Sequence, residues 1–206
     1  MEPALKIGLI VVYSAFSVIR IQYQTRAKRA GFKTVIEESK VYSVLLSTLI
    51  CYEVLTFFIY LFAPQLLEWA AVPLHPILRW FGLVLAIAAL SLFVWVHRHL
   101  GSNFSTRLRI TDGHTMTVTG PYRWVRHPMY SAFVVLHVGA FLMTANWFIG
   151  ATWMAGLAVV IMLRVRREEA MMLERFGDEY RHYMRRTGLL TPSLRVAYPR
   201  YSTKVK

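Results

Sequence analysis

The chain has 206 residues, of which 56% are hydrophobic and 17% are charged, and its formal net charge is +13. The apolar residues are concentrated in blocks of roughly the 17–25 residues that a helix needs to cross hydrocarbon. The basic residues lie between and after these blocks, where membrane proteins carry them, so the charge does not indicate nucleic-acid binding. The composition therefore predicts one all-α integral membrane domain over residues 1–206.

About five transmembrane helices are expected, because backbone polar groups inside lipid must be satisfied within each segment. The first apolar segment runs on into basic residues, which favours a retained helix over a removed signal peptide. The predicted spans cover residues 4–19, 41–62, 77–96, 129–144 and 147–163.

The placement of the basic residues predicts the orientation of these helices. Six basic residues lie between the first and second spans, five lie between the third and fourth, and eleven follow the fifth. Only Lys6 and Arg79 lie near the opposite ends of the helices. The positive-inside rule then places the amino terminus outside the cell and the carboxyl terminus in the cytoplasm. If the protein is prokaryotic, the membrane that it crosses is the cytoplasmic membrane.

The link between the last two spans consists of Ala145 and Asn146 alone, which predicts a tight antiparallel hairpin. Helix four begins at the inner face and helix five returns to it, so Tyr130 and Arg164 should approach each other. Polar chemistry is therefore expected in the loop before helix four and in the segment after helix five, a catalytic region of about residues 100–192.

The loop before helix four ends in a possible anion site. Pro128 suits the first turn of a helix, and His127 before it is pushed into an extended conformation. The helix start presents free N–H groups and a positive dipole end beside Arg126 and His127, which suits a carboxylate. The alternative is an ordinary basic helix start at the headgroup layer.

The segment after helix five combines acidic residues with an amphipathic pattern. Glu168 and Glu169 follow three arginines; they could pair with these on a surface helix, or recognise the amino group or sulfonium of a cofactor. Gly177 predicts a helix stop, and Asp178 predicts the N-cap of a further short helix.

Three spaced motifs resemble the isoprenylcysteine carboxyl methyltransferase family. They are the run from Gly120 to Tyr130 with its Arg-His-Pro-x-Tyr core, the pair Glu168-Glu169, and the run from Phe176 to Tyr180. The chain is most similar to the short, five-helix prokaryotic members, from about Leu100 to Pro192.

The resemblance implies a methyltransferase that uses S-adenosylmethionine in a cytoplasmic pocket formed by the loop before helix four and the C-terminal helices. It assigns cofactor contacts to Gly113, His114, Thr115, Met116, Tyr122, His127, Pro128, Met129, Tyr130 and Glu168. It also implies that Arg164 holds the substrate carboxylate, and it implies a lipophilic, isoprenylcysteine-like substrate.

A carboxylate acceptor is ionised at neutral pH and needs a cation rather than a general base. Arg164 is the first candidate for that cation; Arg126 is a second or braces the loop. Such a substrate could enter sideways from the bilayer, and membrane lipids are the other expected partners.

Other functions stay open at this point. An amine acceptor such as phosphatidylethanolamine would need a base, for which Glu169 is the candidate. A nicotinamide-dependent reductase lacks a phosphate-binding glycine pattern, and a non-catalytic scaffold binding anionic lipid is the third alternative. Glu53 and His137 lie inside predicted spans, where polar residues often mark function; the favoured alternative is a hydrogen-bonded contact within the bundle. No metal site is expected, since the histidines lack acidic or cysteine companions at ligand spacing.

Overall fold

A computed structural model describes residues 3–29, 40–100 and 116–193 of the chain. The described residues form an all-helical bundle, as the sequence predicts. Its helices are α1 (Pro3–Arg29), α2 (Lys40–Phe62), α3 (Pro76–Leu100), α4 (Pro128–Thr144) and α5 (Trp147–Arg186), with 3-10 helices at Pro64–Ala70 and Gly120–Arg123.

Four of these helices, α1, α2, α3 and α5, are long and apolar enough to cross a membrane. The fourth predicted span, α4, has 17 residues. At about 1.5 Å per residue it rises about 26 Å, slightly less than the roughly 30 Å of a hydrocarbon core. Large apolar side chains such as Ile7, Val18, Val84 and Ile87 face outward, as lipid contact requires.

The helix boundaries differ from the predicted spans mainly at the polar ends. Helix α1 extends to Arg29 and α5 to Arg186, because a helix does not stop where its hydrophobic stretch does. Within α5, Gly177 has φ 51° and ψ −122°, so the helix kinks there. The predicted stop at Gly177 is thus a kink between two helical stretches.

The hairpin between α4 and α5 forms as predicted. Ala145 adopts the left-handed conformation with φ 50°, and its N–H donates to the carbonyl of Phe141. Asn146 caps α5 by accepting from the Ile149 N–H at 3.0 Å, and its amide donates to the carbonyl of Leu67 at 2.8 Å. These bonds hold the two helices antiparallel and attach the link between them to the 3-10 helix Pro64–Ala70.

Helices α3 and α4 make the closest contact in the bundle. A Cβ at Gly139 would lie 2.7 Å from the Gly82 carbonyl oxygen and 3.0 Å from the Ala86 nitrogen. Hydrogen in place of a side chain therefore permits this approach, as at other small-residue helix contacts in membranes. Above it, Phe16, Phe93 and Phe133 form an aromatic cluster that joins α1 to the pair.

Replacing Gly139 with alanine is expected to destabilise the bundle by about 1–3 kcal/mol, because backbone rather than a flexible side chain blocks the new methyl group. Gly156→Ala is the matched control, since its Cβ would meet only Leu49 Cδ2 at 3.5 Å. Thermal unfolding in detergent measures both variants. Equal melting temperatures would contradict the close α3–α4 contact.

Candidate active site

The candidate site lies at the end of the bundle where α4 begins and the apolar part of α5 ends. The short hairpin sets this geometry, because it returns residues 164–169 of α5 to the level of the first turn of α4. Tyr130 and Arg164 meet there as predicted: both side chains donate to the same carboxylate oxygen of Glu168.

Glu168 is the centre of this cluster. Its Oε1 accepts from the Tyr130 hydroxyl at 2.9 Å and from Arg164 Nε at 3.2 Å. Its Oε2 lies 3.3 Å from His127 Nδ1. A carboxylate offers about four acceptor positions, so three contacts leave room for another donor.

Glu169 and His127 form the second half of the cluster. Glu169 Oε1 accepts from Arg126 Nε at 2.8 Å and lies 3.4 Å from His127 Nε2. Both ring nitrogens of His127 thus face carboxylates, an arrangement that suits the doubly protonated ring. Burial lowers the pKa of His127, but the hydrogen bonds and charges of Glu168 and Glu169 outweigh it and raise the pKa above its ordinary value.

Arg126 links the loop before α4 to the end of α5. Its guanidinium donates to Glu169, to the Met184 carbonyl at 3.0 Å and to the Thr187 carbonyl. The backbones of residues 124–127 and 188–189 also pair through three hydrogen bonds of 2.9–3.1 Å. The segment after α5 therefore braces the loop that carries Arg126 and His127.

A cavity of about 290 Å³ opens beside this cluster, near the lower size of small-molecule sites. Its polar end includes Tyr122, His127 and Glu168, and its apolar wall includes Phe93 and Leu157. Burial raises the pKa of the Tyr122 phenol, so the hydroxyl stays protonated. The cavity thus joins a charged end to an apolar interior.

Most of the predicted site residues that the structure describes line this cavity. They are Met116, Tyr122, Arg126, His127, Met129, Tyr130, Arg164 and Glu168. Pro128 is buried in the first turn of α4, and Glu169 braces the cluster from outside the lining. Gly113, His114 and Thr115 lie outside the described residues.

Two further polar groups in the cavity wall come from the first half of the chain. Arg20 lines the cavity from α1, and Glu53 lines it from α2. Glu53 Oε1 lies 3.0 Å from His137 Nε2, which is the hydrogen-bonded contact within the bundle that was expected for these residues. In the sequence, Arg20 is one of the six basic residues between the first and second predicted spans, and its neighbours carry no sign of a site.

Comparison with known proteins places the similarity in the same region. Residues 81–174 match the model of the "Isoprenylcysteine carboxyl methyltransferase (ICMT) family". The human protein-S-isoprenylcysteine O-methyltransferase is 32% identical over 93 residues, which are 43% of this chain and 33% of that protein. Methanethiol S-methyltransferase 1 of Bradyrhizobium diazoefficiens is 38% identical over 71 residues, 34% of this chain and 24% of that protein. The matched stretches thus span a third or less of these relatives.

The fold extends the similarity to nearly the whole chain. A solved structure of the eukaryotic intramembrane Ras methyltransferase ICMT superposes with a TM-score of 0.59 at 21% identity, covering 93% of this chain and 69% of that one. The five helices thus share that enzyme's architecture, and the site motifs fall largely within the matched residues. Residues 81–174 are thus similar to the isoprenylcysteine carboxyl methyltransferase family, and the fold of the chain is similar to that of the solved structure.

Proposed function

We propose that this protein is an S-adenosylmethionine-dependent methyltransferase that methylates the carboxylate of an isoprenylcysteine-like lipid on the cytoplasmic side of the membrane. The observation that carries the proposal is the cavity that connects the charged cluster around Glu168 to an apolar interior. Such a cavity suits a ligand pair with a polar reacting end and a hydrophobic tail.

The residues at the polar end fit the proposed cofactor. S-adenosylmethionine carries a carboxylate, an ammonium group and a sulfonium whose methyl group is the one transferred. Glu168 offers a partly buried carboxylate for the positive groups, and His127 with the start of α4 offers positive charge for the carboxylate. In this proposal Met116, Tyr122, Met129 and Tyr130 form the remaining walls, with Pro128 fixing the helix start.

The protein's tasks in the proposed reaction are alignment and exclusion of water. An ionised carboxylate needs no general base, but as water leaves it needs a cation to hold it. Arg164 is buried and fixed by Glu168, so its guanidinium is already oriented toward the cavity. Holding two reactants in line accounts for roughly 7–11 kcal/mol of the barrier in favourable models.

A thiol acceptor is the second candidate, because the chain is similar to methanethiol S-methyltransferases of several bacteria. An amine acceptor is less suited to the site. Glu169, the base that it would need, is engaged by Arg126 and His127 and lies outside the cavity lining. We therefore give Arg126 and Glu169 a positioning role rather than a chemical one.

Labelled-methyl transfer by the purified protein in lipid bilayers tests the proposal. The acceptors offered in parallel are a farnesylated cysteine acid, methanethiol and phosphatidylethanolamine. Base-labile label on the acid is expected. Label on the thiol or on the lipid amine instead would contradict the proposed carboxylate acceptor and identify the acceptor as a thiol or an amine. Failure to bind the cofactor would contradict the enzyme proposal and favour a lipid-binding scaffold.

A further inference from the structure

Arg20 places a guanidinium in the cavity from a part of the chain that the family model does not match. It lies on α1, whereas the family match begins at residue 81. Arg20 lines the same cavity as Arg164 and is within electrostatic range of Arg164, Glu53 and Tyr130. Arg20 therefore adds a cation from the N-terminal half to a cavity that Arg126 and Arg164 also line.

Among the described residues, no hydrogen bond or close ion pair engages the Arg20 side chain. Two other basic side chains near the opposite end of the bundle donate to backbone carbonyls, although Arg79 Nε is buried without a partner among the described residues. Lys6 Nζ donates to the Leu61 carbonyl at 2.8 Å, and Arg79 Nη2 donates to the Met143 carbonyl at 3.0 Å. A charged group in an apolar helix without a partner is costly, and such residues in membranes commonly serve a ligand.

Glu53 lies within electrostatic range of Arg20, but its closest polar contact is with His137. His137 Nδ1 lies 2.8 Å from the Phe133 carbonyl, which only accepts, so this nitrogen carries a hydrogen. His137 Nε2 faces Glu53 Oε1 at 3.0 Å, and that contact also needs a hydrogen. Glu53 Oε1 is thus engaged by His137.

The two other carboxylates at this end of the cavity, Glu168 and Glu169, already have contacts with other side chains. Glu168 is held by Arg164, His127 and Tyr130, and Glu169 is held by Arg126 and His127. Among the described residues, Arg20 is thus left without a close ion pair and lies near another guanidinium, with Glu53 as a more distant opposite charge. An anion between Arg20 and Arg164 would remove the repulsion between them and supply the missing hydrogen-bond acceptor.

We propose that Arg20 binds the carboxylate of the methyl acceptor together with Arg164 and makes the cavity selective for an anionic acceptor. This inference rests on the proposed function, since it names the group that the cavity selects. Arginine suits the role because its planar guanidinium matches a carboxylate with two parallel hydrogen bonds.

The test compares binding of N-acetyl-S-farnesylcysteine with binding of its uncharged amide. Purified full-length protein in lipid nanodiscs, loaded with S-adenosylhomocysteine, is titrated with each compound. The wild type is expected to prefer the acid. Arg20→Gln is expected to reduce that preference about tenfold or more, the loss of a charge-assisted hydrogen bond, while the affinity for the amide stays within about twofold.

Arg26→Gln is the matched control, because it removes the same charge from the same helix. Arg26 is exposed and lies over the Tyr23 ring, 5.6 Å from its centroid, outside the cavity lining. This variant should keep the wild-type preference. Arg20→Lys should restore part of it, because lysine returns the charge without the planar donors.

Equal weakening of acid and amide in Arg20→Gln would indicate a structural role and overturn the inference, as would an unchanged preference. The two proposals fail separately. Methyl transfer to the acid with no effect of Arg20→Gln on the preference keeps the proposed function and overturns the role of Arg20. An Arg20-dependent preference without methyl transfer keeps the anion site and contradicts the proposed function.

Discussion

Replacing Glu168 with glutamine is expected to lower the rate of methyl transfer by about 10²–10⁴-fold. Glu168 Oε1 accepts from Tyr130 and Arg164, and Oε2 contacts His127, so one side chain orients all three. An amide keeps the shape but turns an NH₂ group toward donors. Removing one partner from a buried ion pair typically costs about 3–5 kcal/mol, which corresponds to this loss.

The effect is expected in both cofactor affinity and turnover, since Glu168 is proposed to face the cofactor and also fixes Arg164. Isothermal titration with S-adenosylhomocysteine and initial rates measure the two separately. Glu174→Gln is the control, because it removes an exposed carboxylate from the same helix and should retain near-normal activity. A Glu168→Gln variant with wild-type affinity and rate would contradict the proposed cofactor site.

Local patterns in the sequence predict the helices and one important contact of the site. Apolar blocks identify all five helices, and the two-residue link at Ala145 and Asn146 predicts the hairpin that brings Tyr130 to Arg164. Helix ends are predicted less well, because α1 and α5 continue beyond their hydrophobic parts as ordinary helices. Hydropathy indicates the residue at which lipid contact ends, which is not the residue at which the helix ends.

Contacts between distant segments were not predictable in the same way. Glu53 and His137 are 84 residues apart, and each alone is a polar residue in an apolar helix. Arg20 gives an equally weak signal, since arginine is common where a helix leaves the membrane. Only the arrangement of α1, α2 and α4 around one cavity brings these residues into the wall of the candidate site.

The seam between residues 124–127 and 188–189 is a second feature of this kind, and Arg126 is its main side-chain link. Arg126→Gln is expected to lower the melting temperature by about 6–12 °C. The reason is that Glu169 loses its closest cation and the carbonyls of Met184 and Thr187 lose a donor, a cost of about 3 kcal/mol for a chain of this size. Differential scanning fluorimetry in detergent measures this change.

Arg126→Lys keeps the positive charge but removes the planar guanidinium, so it tests whether charge alone is sufficient. Arg123→Gln removes a neighbouring positive charge, so it tests whether the effect is specific to Arg126. Lysine has one ammonium group and cannot reach Glu169 and two carbonyls as the guanidinium does, so it should restore little stability. Arg123 is exposed over Trp124, and its loss should leave the melting temperature nearly unchanged. Hydrogen exchange at residues 187–190 should rise in the Arg126 variants alone. If those amides stay protected, the backbone hydrogen bonds alone hold residues 124–127 against residues 188–189, and the stabilising role of Arg126 is contradicted. Arg126 would then be better explained as the second substrate cation that its position before helix α4 suggests.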